Sequence, residues 1–566
     1  MRRYRLPIVL IPIAAFLAIH PLIVHGCSCG HDFDFHIISW FEAARQLAQG
    51  ALHPHWAYTP AWNAGEPRFI FYPPLSWTLG ALLGLLLPWT WTPVVYTGLA
   101  LTAAGFALYC SARSFVSPNA ALIAAAIYIA NPYTLYTALE RTAYAELLAA
   151  AWIPLLLRAI LREQVTIPGI AIPVALLWLT NAPAAVMGCY ALALIALVRL
   201  ALSLRANSTL PRLRFALNTT AGTLLGLCLA AFYIIPAAYE RRFVQIDMAV
   251  LPGMDIASNF LFHHTADPDH DHVLRIASIV SLIVLALTAI ALAAARIADK
   301  RKTPSHHEDR TTHLLLPLAI LATVIALMLT PLSAPLWNHL PQLGFLQFPW
   351  RLVAILAAVF ALAVAIALAH FPLKSANAVS VAVIATLLFT IPAYRAFNQR
   401  CYPEDTLPER LAIFHSTNPG TDPTDEYTPI TADNDALAQT NPGYWLTAAP
   451  GALAPKDAAP APAPQHIDLT LTTPQILILN LRDYPAWRIT RNGSVIATHL
   501  HRSDGLIAFH LPAGASHIDV AWMTLPDQSI GYTVSALAAI LLLILSLRSR
   551  KHFITTPISQ PATPHR

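Results

Sequence analysis

Residues 30–50 read GHDFDFHIISWFEAARQLAQG, which sets His31, Asp32, Asp34 and His36 within six positions of a chain that spends 11% of its residues on charge. Two carboxylates beside two imidazoles can accept and return a proton, the work of a general base. One aspartate at the start of a helix is accounted for by capping, a role worth about 1 kcal/mol. Capping leaves the second aspartate and its flanking histidines unexplained, so Asp34 and Asp32 are the candidate catalytic carboxylates.

Further groups recur at the ends of apolar segments. The stretch ALHPHWAYTPAWNAGEPRFIFYPPL mixes Trp56, Trp62, Phe69, Phe71 and Tyr72 with His53, His55, Glu66 and Arg68. Such aromatics form the interfacial belt of a membrane protein, and their faces also stack on sugar rings. Glu140, Arg141 and Glu146 fall between two apolar runs, where a carboxylate is costly unless it is paired or faces water. Trp350 and Arg351 open a later run, and a guanidinium there either snorkels to headgroups or matches a phosphate. The loop FLFHHTADPDHDHVLR gathers four histidines and three aspartates but fits no metal motif, so it reads as a solvated polar loop.

The elements that must position these groups are mostly membrane helices. Hydrophobic residues make up 56% of the 566, and apolar runs long enough to cross the roughly 30 Å hydrocarbon core recur along the chain. Twelve spans are expected, near 6–24, 92–111, 118–136, 143–161, 167–181, 184–203, 215–237, 272–297, 313–330, 350–370, 376–396 and 530–547. The basic stretches MRRYR, 199–214, ARIADKRKTPSHHEDR and RSRKH belong in the cytoplasm by the Lys/Arg rule. Residues 25–72 and 397–529 then lie outside, with both termini in the cytoplasm. The segment 72–88 opens with two prolines and reads as a helix that dips into the outer leaflet and returns, beside a protein-walled cavity. Residues 34–49 carry apolar positions at helical spacing and predict an amphipathic helix on the outer surface, ended by Gly50. The six cysteines are too scattered for a disulfide framework, and the net charge of +5 sits in short loops, which excludes a nucleic-acid partner.

Beyond 397 the chain turns polar. A Pro/Ala-rich linker region covers 397–464. Within 465–528 the segments HIDLTL, QILILNL, AWRITRNGSVIATHL, GLIAFHL and SHIDVAW alternate apolar and polar residues, as half-buried strands do. Asn492-Gly493 is a two-residue hairpin turn. The fold class predicted is an all-α polytopic bundle (1–396) with a C-terminal extracytoplasmic β-sandwich (465–528), closed by a last span and tail (529–566).

The order of a first span, an acidic outer loop with a helix, a PPL segment and an acidic-basic outer loop resembles the GT-C class of membrane glycosyltransferases. DFDFHIISWFEAARQLAQG, HWAYTPAWNAGEPRFIFYPPL, ERTAYAELLA, QFPWR and the terminal YPAWRITRNGSVIATHL look like the YfhO-type bacterial membrane proteins and the group labelled 6-pyruvoyl-tetrahydropterin synthase-related. That label implies no pterin chemistry, because the pterin enzyme is a small soluble zinc protein. The resemblance implies a bacterial cytoplasmic membrane location and transfer of a sugar from a polyprenyl-phosphate donor to an envelope glycan, lipid or protein acceptor at the outer face. An outer-loop aspartate acts as base, which matches Asp32 or Asp34. His36, Trp62, Glu66, Arg68, Tyr72, Glu140, Arg141, Glu146, Trp350 and Arg351 would bind substrate. No cofactor is assigned. The family's second acidic site is an aspartate where this chain has Glu140 or Glu146, which leaves a divalent metal open. The alternatives are a flippase for a lipid-linked saccharide and a non-catalytic polymer-binding protein.

Overall fold

The computed structural model describes residues 2–203, 210–250, 253–300 and 308–555. Arg205 and residues 301–307 of two basic stretches lie outside the described residues. Among the described residues nine helices are long and apolar enough to cross a membrane, and eleven if two bent pairs each count as one span. The pairs are Pro211–Leu229 with Ala231–Phe243 (73°) and His313–Met328 with Pro331–His339 (96°). Ile167–Thr180 is a shorter apolar helix, as is Pro74–Leu86, which occupies the segment expected to dip and return. Val353–Leu368 is apolar on every side and almost wholly buried, as expected of a helix at the bundle centre. It packs on Pro268–Lys300 and Pro118–Ile129.

The amphipathic helix is present at Phe33–Ala48, and Gly50 follows it with φ +92°. It does not lie free on a surface. Helices Pro74–Leu86 and Leu407–Phe414 cover it, and Ile37, Trp40 and Glu42 are fully buried. Glu42 tolerates burial because Arg45 and the Thr59 backbone N–H each donate to it at 2.8 Å, as a buried charge requires.

The C-terminal region is a β-sandwich of strands β1 (Tyr444–Thr447), β2 (His466–Leu471), β3 (Gln475–Arg482), β4 (Trp487–Arg491), β5 (Ser494–Val495), β6 (Leu506–Leu511) and β7 (Gly514–Trp522). One sheet runs β1-β3-β6 and the other β2-β7-β4-β5, all pairs antiparallel. The stretch read as linker thus supplies edge strand β1. Asn492 and Gly493 both adopt positive φ between β4 and β5, the backbone a tight hairpin needs. Central β3 is buried on both faces. Leu477, Leu479 and Leu481 meet the facing sheet together with Trp56 and Ile70, whereas Ile476 and Ile478 meet Ala61 and Ala64 of the first loop. Tyr484 before β4 donates to Glu240 at 2.6 Å, and Gln528 of the last helix donates to the same carboxylate at 2.9 Å. The sandwich is therefore fastened to the helical part rather than tethered beside it.

Candidate active site

The chain leaving the first helix is held against the loop after Leu139. The Asp32 N–H donates to the Arg141 carbonyl at 2.9 Å, the His31 N–H to the Glu140 carbonyl at 3.4 Å, and the Ser28 hydroxyl to the Leu139 carbonyl at 2.7 Å. The two backbones meet at Gly30, where an added Cβ would fall 2.2 Å from the Glu140 oxygen, so only glycine fits. On the other side a disulfide joins Cys29 to Cys401. Gln399 accepts from the Cys29 N–H at 3.2 Å and donates to Glu140 at 2.7 Å. Cysteine spacing alone does not reveal this bridge, because 372 positions separate its ends.

This clamp sets Asp32 beside Arg141, with Oδ2 and Nη2 3.6 Å apart. Arg141 Nη1 also pairs with Glu146 Oε2 at 2.6 Å, and Arg351 Nε lies 3.8 Å from that same oxygen. The Tyr133 hydroxyl donates to Glu146 Oε1 at 2.6 Å. Thr142, between Arg141 and Glu146, has φ +48°, a costly conformation for a β-branched residue that turns up where structure serves function. Trp350 lies 4.9 Å beneath the Arg141 guanidinium and Phe348 4.9 Å beneath that of Arg351, and the two rings stack on each other. Burial opposes the Arg141 charge, but Glu146 and Asp32 outweigh it and push its pKa upward.

A cavity of about 660 Å³ opens onto these groups. Among the residues expected to act, Asp32, His36, Tyr72, Arg141, Glu146 and Arg351 line it. Asp34, Trp62, Glu66, Arg68, Glu140 and Trp350 do not. Asp34 turns to Arg410, whose Nε donates at 3.0 Å, and Arg410 also reaches Asp405. Glu66 and Arg68 form a buried pair at 2.7 Å, and both bond Thr424. Trp62 packs against the sandwich with Trp445. Trp350 supports Arg141 from behind, and Glu140 holds Gln399.

Glu426 and Tyr427, which no sequence motif marks, reach the cavity from the polar stretch TDPTDEYTP, as does Arg241 from the end of a bent helix pair. The Thr424 anchorage to Glu66 and Arg68 fixes the approach of Glu426. Burial pushes the Glu426 carboxyl above its ordinary value, whereas burial holds His36 down at about 4, so His36 is neutral at physiological pH. Phe35, Phe71, Tyr72 and Tyr427 supply the aromatic wall, with Phe71 and Tyr427 stacked at 5.5 Å. Among the described residues the two groups with metal-ligand spacing, Cys27–Cys29–Cys401 and His466–His517–Asp519, both lie outside the cavity. The His263–His272 loop bonds within itself and, through His270 in the first turn of the Pro268–Lys300 helix, to Asn259.

No curated protein matches the sequence. Among solved structures, the cryo-EM structure of the arabinofuranosyltransferase AftD from Mycobacteria aligns with 92% of this chain and 40% of its own, at TM-score 0.46 and 16% identity. A mutant form of that protein aligns over 92% and 42%, at TM-score 0.45 and 15% identity. The chain thus spans about two fifths of the length of these structures. The profile of the membrane-protein family described as 6-pyruvoyl-tetrahydropterin synthase related domain matches residues 69–397. That is more than half of the chain, and the chain belongs to this family of membrane proteins.

Proposed function

We propose that the protein is a GT-C-type glycosyltransferase working at the outer face of a bacterial cytoplasmic membrane, with a polyprenyl-phosphate sugar as donor and an envelope glycan, lipid or protein as acceptor. One observation carries the reading: Asp32, Arg141, Glu146 and Arg351 converge on a single cavity large enough for a sugar phosphate. The acceptor oxygen bonds to the anomeric carbon while the bond from that carbon to the phosphate oxygen breaks. The acceptor proton passes to Asp32, and the lipid phosphate leaves with the electron pair, its charge met by Arg141 and Arg351. Direct attack inverts the anomeric centre. Glu426, which lines the same cavity, orients the acceptor hydroxyl. Asp34, the other candidate base, serves instead as the anchor for Arg410.

The same reading takes twelve spans, counting both bent pairs and Ile167–Thr180, with both termini cytoplasmic. The division into a helical unit (1–396), an outer polar region (397–464), a sandwich (465–528) and a last span belongs to it. The Cys29–Cys401 disulfide supports the outward placement of both outer segments, because disulfides persist in oxidising compartments. The test is transfer in vesicles loaded with lipid-linked sugar. Asp32→Asn should abolish transfer with insertion intact, and full transfer by that variant would overturn the assignment. Movement of intact lipid-linked saccharide with no new glycosidic bond would favour a flippase.

A further inference from the structure

The tripeptide His-Ile-Asp occurs twice in the sandwich, as His466-Ile467-Asp468 in β2 and His517-Ile518-Asp519 in β7. The strands are antiparallel neighbours whose register sets His466 opposite Asp519 and Asp468 opposite His517. Side chains alternate across a strand, so Ile467 and Ile518 point into the core while the two histidines and two aspartates share the outer face. There the His466 Nδ1 lies 2.7 Å from Asp519 Oδ1, and the His517 Nε2 lies 3.1 Å from that oxygen. The other nitrogen of His517, Nδ1, lies 2.6 Å from Asp468 Oδ1.

We infer that this four-residue lattice is a binding site for a divalent first-row transition ion of the zinc class, with His466 Nδ1, His517 Nε2 and Asp519 Oδ1 as ligands. The donor atoms all lie within 4.8 Å of one another. A tetrahedron with bonds of about 2.0–2.1 Å has edges of about 3.3 Å, so the 3.1 Å separation from His517 nearly fits and the 2.7 Å separation from His466 must open by about 0.6 Å. Imidazole and carboxylate together suit zinc rather than magnesium or calcium. Asp468 is the partner such a site needs behind it. By accepting the Nδ1 proton of His517 it fixes the tautomer that leaves the Nε2 lone pair facing the ion. Thr490 donates to the second oxygen of Asp519 at 3.4 Å, which holds that ligand in the same way. The side chains of His517 and His466 are 50% and 70% exposed, which leaves the fourth position open to water or to a group on a bound partner. The ion joins edge strand β2 to β7 and would stiffen the sheet margin.

The full-length protein in detergent, stripped with a chelator, is titrated with Zn²⁺ against a chromophoric competitor, and its melting is followed with and without the ion. One equivalent is expected to bind and raise Tm, with magnesium failing to compete. His517→Ala and His466→Ala should each remove that equivalent, and Asp468→Asn should weaken it 10- to 100-fold while leaving the metal-free Tm near wild type. The Asp468→Asn arm decides the matter if either alanine variant fails to fold. Zinc binding and Tm response unchanged in Asp468→Asn, or no saturable equivalent in the parent protein, would overturn the site. In that case the four residues are simply paired surface charges.

Discussion

Asp32 and Asp34 are two positions apart, yet the first sits beside Arg141 on the cavity wall and the second is tied to Arg410 outside it. The two carboxylates should therefore fail differently. Asp32→Asn is expected to lower transfer by roughly 10²–10⁴ with stability unchanged. Asp34→Asn is expected to cost about 1 kcal/mol of stability and to leave turnover at saturating donor near wild type. Transfer rates and melting curves on both variants separate the roles.

Glu146 is the shared counter-ion of Arg141 and Arg351, and its second oxygen is taken by Tyr133. Glu146→Gln leaves two buried guanidinium groups without it. Breaking one partner of a buried pair costs about 3–5 kcal/mol, so this variant should be the least stable of the site set. Arg351→Lys keeps the charge but loses the planar fork. Its expected signature is a raised KM for donor with a smaller change in kcat, read from initial rates.

Gly30→Ala tests the clamp without touching a charged group. The new methyl would meet the Glu140 carbonyl, and the backbone must separate to admit it. Displacement by a fraction of an ångström moves Asp32 from Arg141, so activity should fall at least tenfold while the melting of the sandwich stays put.

How far the sequence foretold this arrangement depends on the range of the interaction. Ile37, Phe41 and Ala44 announced the helix at Phe33–Ala48 because helical spacing is local. The β segments and the Asn492-Gly493 turn were legible for the same reason. Which aspartate reaches the cavity was not, since it is set by Gly30 meeting Glu140 and by Arg410, 376 positions from Asp34. Trp56 and Trp62 read as belt or sugar platform, but they join the first loop to the sandwich, a partner that only the folded chain supplies. Glu426 lay in a polar stretch with no periodicity to mark which side it would present.

Acid should loosen the protein through one buried histidine, His36, and two half-buried ones, His53 and His55. Burial holds His36 and His53 at about 4 and His55 at about 3, against 6.5 for a free side chain. Below pH 6.5 the unfolded chain takes up protons that the folded chain refuses, so stability falls from there to about pH 4, at most about 1.4 kcal/mol per pH unit per histidine. Asp34 and Glu426, raised by burial, act in the opposite sense and blunt the fall. His53 bonds Tyr532 of the last helix at 2.7 Å, so His53→Gln should flatten the pH dependence of melting.

Cys401→Ser removes the bridge to Cys29 and should cost about 2–5 kcal/mol. Cys29→Ser should cost less, because the Cys27 sulfur lies within 4.8 Å of Cys401 and can replace it. Melting of both variants, and labelling of the freed thiols in whole cells by a reagent that cannot cross the membrane, check the bond and the side on which it lies.

The bridge between Cys29 and Cys401 also sets an order in time. Asp32 leaves the ribosome early, but its clamp is finished only when the segment carrying Gln399 and Cys401 has followed, since 372 positions separate the ends of the bridge. Through most of synthesis a nascent chain therefore carries its acidic loop with no finished pocket around it. The pocket is complete only when the late segment arrives and oxidation seals it in place.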